Sequence, residues 1–268
     1  MFKLMHNIVI SIILLLFIFL IIWSIFIEPN QIEIKYYEIQ DSQLKGTKIV
    51  FAGDFHFKKH QQKRADKIIS LINQQNADLV LSTGDYINSH KESASMPVSQ
   101  IAENIGKIRP RVYTSLGNHD FWAGNEKITK EFKKHNITVL SNSNAKIKIK
   151  DKIIYIAGVE DLQTGNPDVE KALENTQSPR ILLTHSPDIF PDIQQKNINL
   201  ILAGHLHGGQ IRIPLIGAII VPSKYGNKYS KGLIIDNHKK MIVTKGIGTS
   251  ILPVRFNCKP DFIVIDFI

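Results

Sequence analysis

The chain opens on one unbroken apolar run, then settles into short apolar stretches that each end in Gly, Asp, Asn or His. From Ile8 to Ile27 no residue is charged, and the only small polar side chains are Ser11 and Ser24. At ~1.5 Å of rise per residue a helix of that length reaches ~30 Å, the thickness of a bilayer's hydrocarbon core. A cleaved export signal has a shorter apolar part and small residues at its cut. The sequence Ile25-Phe26-Ile27-Glu28-Pro29 offers no such site. The pattern therefore predicts a retained transmembrane anchor over residues 1–28. Lys3 and the amino terminus precede the span, and Glu28, Glu33, Lys35 and Glu38 follow it. This slight basic bias leans towards an amino terminus inside and the remaining domain outside.

Residues 29–45 read as a connector with one strand-like stretch, Ile32 to Ile39. A regular alternation begins at Lys48. Strands are expected at 48–52, 78–81 and 111–116. Helical spacing is expected at 61–75, where Ala65, Ile68, Ile69 and Ile72 share a face, and at 97–107 and 125–135. This β-α-β-α-β-α order argues for a partly parallel sheet with helices on its face. The second half changes character. Lys146–Lys150 alternates strictly, turns at Asp151 and returns over 153–157, which predicts a hairpin with one wet face. Further strands are expected at 180–184, 199–203, 233–236, 241–244 and 262–267. Asn166-Pro167-Asp168 starts a short helix, and Ser186-Pro187 reads as a cap with Pro at the first helical position. The expected architecture is one α/β domain over 46–268, with two packed mixed sheets flanked by helices.

The polar residues at the strand ends carry the chemistry. They are Asp54 and His56, Asp85, Asn118 with His119 and Asp120, His185, and His205 and His207. Loops at the carboxyl ends of strands in open α/β sheets converge on one crevice. A single Gly-Asn-His-Asp is an ordinary polar loop; five such loops in one chain point to a shared metal site. Leaving His119 and Asp120 apart, the set offers two carboxylates, an amide oxygen and four imidazoles. That exceeds one tetrahedral zinc and suits two divalent ions sharing a carboxylate. Two such ions acidify a water and neutralise phosphoryl oxygens.

Composition changes this picture little. The formal net charge of +9 points to an anionic partner such as a membrane surface, a phosphorylated substrate or nucleic acid, or equally to a Lys-rich soluble surface. No aromatic-interleaved basic motif supports nucleic acid. The one cysteine, Cys258, excludes an internal disulfide and a Cys-rich zinc site, and reads as a buried thiol.

The motifs Asp54-Phe55-His56, Gly84-Asp85, Gly117-Asn118-His119-Asp120, His185 and Gly204-His205-Leu206-His207 together resemble the calcineurin-like metallophosphoesterase superfamily. The resemblance covers essentially the whole domain and implies a four-layer α-β-β-α sandwich of two mixed sheets. It implies one ion held by Asp54, His56, Asp85 and His207, and a second by Asp85, Asn118, His185 and His205. His119 would donate a proton to the leaving group, and Asp120 would orient His119. The segments 204–210, 222–226, 246–250 and 253–256 resemble one bacterial branch of anchored or exported phosphodiesterases of the inner (plasma) membrane. That branch also contains an enzyme cleaving UDP-2,3-diacylglucosamine in lipid A synthesis. Purple acid phosphatases carry a Tyr three residues after the bridging Asp; Asn88 stands there in this chain. The resemblance therefore implies a redox-inert pair, Mn²⁺ ahead of Zn²⁺ or Fe²⁺. The expected activity is hydrolysis of a phosphodiester or pyrophosphate bond, with UDP-2,3-diacylglucosamine the leading specific substrate and a broader envelope phosphodiesterase the alternative. A non-catalytic scaffold is the remote reading, since every ligand position is filled.

Outside the motifs, residues 211–221 are unusually apolar. A core strand and turn is the plainer account, and an acyl-chain or bilayer contact, with Arg212 and Lys224 on lipid phosphate, the sharper one. Phe121 and Trp122 wall a pocket or pack in the core. His60, His90, His135 and His238 read as surface residues.

Overall fold

The computed structural model describes every residue except Met1, His90, Lys91, Lys196 and Asn237. His90, expected at the surface, therefore lies outside the described residues. One helix, α1 (Phe2–Ile22), continues through a π turn, Trp23–Ile27, and a 3-10 turn, Glu28–Asn30. This stretch is long and apolar enough to cross a membrane.

The first sheet holds β1 (Glu33–Ile39), β2 (Lys48–Ala52), β3 (Leu79–Ser82), β4 (Val112–Thr114) and β5 (Thr138–Val139). Its helices are α2 (Gln62–Asn73), α3 (Val98–Ile105) and α4 (Asn118–Lys134). The second sheet holds β6 (Ser143–Ile149), β7 (Lys152–Gly158), β8 (Arg180–Leu183) and β9 (Leu200–Ala203), with the short helix α5 (Val169–Ala172) after β7. A small hairpin, β10 (Arg212–Ile213) and β11 (Gly217–Ala218), precedes β12 (Gly232–Asp236) and β13 (Lys239–Val243), which complete the second sheet. The last strand, β14 (Asp261–Phe267), returns to the first sheet. The strand orders are β1-β14-β2-β3-β4-β5 and β12-β13-β9-β8-β7-β6. Both sheets are mixed: β2 to β5 run parallel, and β14 runs antiparallel to β2.

The inner strands β2, β3, β8 and β9 read as continuous apolar runs because both their faces are buried. Ile49, Phe51, Leu79 and Leu81 of the first sheet meet Ile181, Leu183, Leu200 and Leu202 of the second. The alternate residues Val50, Ala52 and Val80 face Ile68, Ile72, Ile101 and Phe132 of the helices. On the far side Leu182, Ile201 and Ala203 pack under Ala172, Ile189 and Phe190. These three cores separate four layers, helix, sheet, sheet and helix.

β1 sets where the apolar helix meets the domain. It pairs parallel with β14, in register from Glu33↔Asp261 to Ile39↔Phe267, so it runs against β2. The connector expected over 29–45 thus supplies an edge strand. Its start, and the apolar helix before it, lie at the end of the sheet where β2, β3 and β4 finish. Glu28 fixes this junction. The residue is buried, and its carboxylate accepts the amides of Asn257 and Cys258 and the indole N–H of Trp23. The Arg255 amide donates to the Ser24 carbonyl at 2.9 Å.

Residues 211–221 do not form the expected core strand. Ala218 is buried, whereas Leu215, Ile216, Ile219 and Ile220 are exposed. Arg212 turns inward and donates to the Gly208 carbonyl at 2.8 Å; Lys224 is exposed and lies 3.7 Å from Asp192. His60 and His238 are exposed and His135 is half-buried. Cys258 is buried, with its thiol on the His207 carbonyl.

Candidate functional site

Every candidate residue sits where its strand stops, so the sheet order decides who meets whom. β2 delivers Asp54 and His56, β3 delivers Asp85, and β4 runs into Asn118, His119 and Asp120 at the start of α4. From the second sheet β8 delivers His185 and β9 delivers His205 and His207. Asp54, His56, Asp85, His205 and His207 all have positive φ, between 42° and 70°. That region costs an L-residue roughly 1–2 kcal/mol, and such strain collects where side chains are aimed for chemistry. Glycine is required where the loops touch. A Cβ on Gly84 would lie 2.2 Å from the Gly117 amide nitrogen, and one on Gly117 would lie 2.3 Å from Asp85 Oδ1.

The donors gather in overlapping groups: Asp54 with His56 and His207, His56 with Asp85 and His119, and Asp85 with His185 and His205. Asp85 Oδ2 stands between two of them, 3.5 Å from His56 Nε2 and 3.3 Å from His185 Nε2. Asn118 Oδ1 lies 3.0 Å from His185 Nε2, and His205 Nδ1 lies 3.0 Å from the same atom. His56 Nε2 and His207 Nε2 are 3.0 Å apart. The outer nitrogens fix the tautomers. His56 Nδ1 meets the Ile87 carbonyl at 3.1 Å and His185 Nδ1 the Thr83 carbonyl at 2.8 Å, so both must carry hydrogen. Each neutral ring then turns a lone pair on Nε2 towards other acceptors. For His185 these are the oxygens of Asn118 and Asp85. Acceptors that face one another in a buried site require a proton or a cation between them. The residues present fit divalent cations on that ground.

The charges agree. Burial disfavours a charge on His185, but Asp85 and Asp54 overcome it and raise its pKa to about 10. Burial holds His56 down to about 3, and burial with the His185 charge holds His205 at about 4. Asp85 is buried too, yet His185 and His56 hold its carboxyl well below the ordinary range. Burial raises Asp54 to about 7. Without a cation the cluster therefore keeps its proton on His185, the imidazole closest to Asp85.

His119 lies beside this cluster, half-buried, with its ring 4.6 Å from that of His56. Its backbone amide donates to Asp85 Oδ1 at 2.9 Å, and its Nε2 lies 3.4 Å from Ser250 Oγ. Asp120 acts on the loops. Its carboxylate accepts the amides of Gly117, Asp85, Tyr86 and Ile87 at 2.7 to 3.1 Å, which locks the loop bearing Asp85 onto the first turn of α4. The two aromatics after it part company. Phe121 packs against the helix-side core, and Trp122 is 44% exposed with its ring 4.9 Å from His119.

Three further residues approach the cluster. Gln163 Nε2 lies 3.0 Å from His205 Nε2. It follows β7, so the same strand-end rule applied to 158–163 would have found it. Ser250 and Arg255 lie in the segments 246–250 and 253–256, which the resemblance matched without giving them a role. Arg255 is fully buried behind His207 and donates to the carbonyls of Lys245, Gly246, Gly248 and Cys258. Its Nη2 lies 3.4 Å from His207 Nδ1.

Residues 47–209 match the calcineurin-like phosphoesterase family. YkuE of Bacillus subtilis, an uncharacterized metallophosphoesterase, is 32% identical over 253 residues, covering 89% of this chain and 86% of its own. Phosphodiesterase YaeI of Escherichia coli is 30% identical over 225 residues, covering 82% of each chain. The solved structure of TT1561 from Thermus thermophilus superposes with a TM-score of 0.50 at 12% identity, over 75% of this chain and 90% of that one. Clustered strand-end His and Asp side chains, paired sheets and relatives along most of the chain agree: the protein belongs to the calcineurin-like phosphoesterase family and is a metal-dependent phosphoester hydrolase.

Proposed function

We propose that this protein is a two-metal phosphodiesterase held at a bacterial inner membrane by residues 1–28, with a lipid-linked phosphodiester or pyrophosphate as substrate. The observation that carries the two-metal reading is Asp85 Oδ2, set between His56 Nε2 and His185 Nε2 at 3.5 and 3.3 Å. One cation would be held by Asp54, His56, Asp85 and His207, the other by Asp85, Asn118, His185 and His205. The His, carboxylate and amide donors suit Mn²⁺, with Zn²⁺ and Fe²⁺ as competitors. When bound, such a pair supplies an acidified water and neutralises phosphoryl oxygens.

The chain's own groups do the rest. Asp120 fixes the loop that carries Asp85 by binding its amides. Asp85 Oδ1 holds the His119 backbone amide, and Ser250 Oγ stands near Nε2, so the imidazole is held at the edge of the cluster. From there His119 can hand a proton to the departing oxygen. Proton donation matters in proportion to the basicity of that oxygen. The expected result is that His119→Ala slows hydrolysis of an alkyl phosphodiester by about 10²–10⁴-fold and that of a p-nitrophenyl diester far less. Steady-state rates on the two substrates check this; equal losses would remove His119 from the proton transfer.

UDP-2,3-diacylglucosamine is the most specific member of the proposed class. It unites a pyrophosphate with acyl chains, and Leu215, Ile216, Ile219 and Ile220, in the segment that follows His207, are exposed. The deciding assay offers the Mn²⁺-loaded protein that lipid beside bis(p-nitrophenyl) phosphate and follows UMP. UMP release assigns the pyrophosphate and requires a domain facing the cytoplasm. Aryl diester cleavage without UMP assigns the broader phosphodiesterase, in keeping with the outward orientation that the flanking charges favour. Cleavage of neither overturns the proposal.

A further inference from the structure

We infer that the two apolar loops 213–221 and 250–254 form a second membrane contact, separate from the anchor, which seats the mouth of the metal site on the lipid headgroup layer. The inference rests on the proposed membrane anchoring and adds the surface through which the site meets its substrate.

The chain path sets the orientation. β1 runs against β2, so its first residue lies at the end where Asp54, Asp85 and Asn118 emerge. The anchor enters at that same end. It is also fastened there, by the Arg255 amide on the Ser24 carbonyl and the Asn257 and Cys258 amides on Glu28. A free linker would let the domain turn away from the bilayer; this junction holds it at one angle.

The depth follows from Trp23. Trp ends a spanning run at the level of the headgroups. Trp23 shares a cavity with Pro214 and Phe256, together with Lys231 and Lys259. The 213–221 loop therefore lies level with the end of the span. Its tip carries Leu215, fully exposed, and Ile216 and Ile220 at 72% and 76%. The second loop is joined to the first: Ile211 bridges Phe256, and Gln210 donates to the Ser250 carbonyl and accepts the Ser250 amide. Its tip carries Ile251 and Leu252, 97% and 56% exposed. Phe26, on the last turn of the anchor, is 66% exposed. Single exposed apolar residues need no explanation, but these loops are fastened to the apolar helix through the Arg255 amide on Ser24 and share a cavity with Trp23, Lys231 and Lys259, which is the pattern of an interfacial membrane contact.

The same loop reaches the chemistry. Ser250, next to Ile251, stands 3.4 Å from His119 Nε2. A bilayer that takes up Ile251 and Leu252 brings its headgroup phosphates to the level of His119. The phosphoester then reaches the cluster by sideways movement within the membrane.

The test uses the full chain in vesicles of equal parts phosphatidylethanolamine and phosphatidylglycerol. Ile216→Cys, Leu252→Cys and, as control, Asp151→Cys are labelled with a polarity-sensitive dye. Asp151 lies in the β6–β7 turn, at the opposite end of the domain. Labels at 216 and 252 are expected to shift to the blue and to lose roughly half their emission to a lipid quencher placed just below the headgroups. The label at 151 should do neither. Water-like emission at all three positions overturns the inference. So does a blue shift without lipid quenching, which would assign the patch to a second copy or a protein partner. In a companion assay, Ile216→Ser with Ile220→Ser and Leu252→Ser should lower turnover of a vesicle-borne diester about tenfold and spare a water-soluble aryl diester; equal effects on both count against the seat. Lipid quenching with no hydrolysis of either diester would instead sink the hydrolase reading and leave the membrane contact standing.

Discussion

Asp85→Ala abolishes the activity, with a loss of about 10³-fold or more on any phosphodiester, because it removes the carboxylate common to both donor groups. The loss has two origins. Asp85 Oδ2 lies within 3.5 Å of an imidazole nitrogen on each side, so neither of the two proposed cations would keep its full donor set. Asp85 Oδ1 also holds the His119 amide, so the proposed proton donor would lose its anchor point. Asp85→Asn separates the two effects. It keeps the shape and the hydrogen bond from His119 but surrenders the charge. The Asn variant is expected to melt below the parent in the metal-free state, because buried His185 loses the carboxylate that holds its proton, and to retain less than the full metal content after dialysis. Elemental analysis beside the hydrolysis rate decides the matter. An Asp85→Asn protein with two tightly held ions and parental turnover would refute the shared-carboxylate arrangement.

Arg255→Ala is expected to destabilise the protein by about 3–5 kcal/mol, since it orphans several buried carbonyls at once. At ~2–4 °C per kcal/mol for a domain of this size, the melting temperature should fall by about 10 °C. The guanidinium is fully buried and gathers the carbonyls of Lys245, Gly246, Gly248 and Cys258. A lysine has one ammonium for that set and lacks the planar fork, so Arg255→Lys should recover less than half of the loss. The effect should extend to the metal. Arg255 Nη2 stands behind His207, and Gly246 and Gly248 flank Asp54 and His56. Thermal melts of the detergent-solubilised full chain, with and without Mn²⁺, measure both terms. A melting temperature within about 2 °C of the parent would show that water replaces the guanidinium.

These two residues differ in how far the sequence exposes them. Asp85 is legible because β3 is buried on both faces, so its apolar run ends abruptly in Gly84-Asp85. The same abruptness marks Asp54, Asn118, His185 and His205. Arg255 gives no such signal, because its role is to gather carbonyls from a loop whose path the sequence pattern does not determine. Glu28 misleads in the same way. An acid after a spanning run reads as a solvated flank, but this one caps amides more than two hundred residues away. The start of α4 is hidden for a local reason: its first three residues, Asn118, His119 and Asp120, are polar, and Gly124, at φ 103°, kinks the helix just before its apolar spacing begins. The apolar run 211–221 is visible, but hydrophobicity alone does not distinguish a side chain facing a core from one facing outward.

The pairing of β1 with β14 also dictates the order in which the molecule can be made. Glu33–Ile39 leaves the ribosome soon after the anchor, while its partner Asp261–Phe267 is the last strand synthesised. At roughly 5–20 residues per second the first strand waits on the order of 10–45 s without its neighbour. The sheet cannot close co-translationally, and a chain that stops a few residues short leaves β2 with an open edge where β14 should lie.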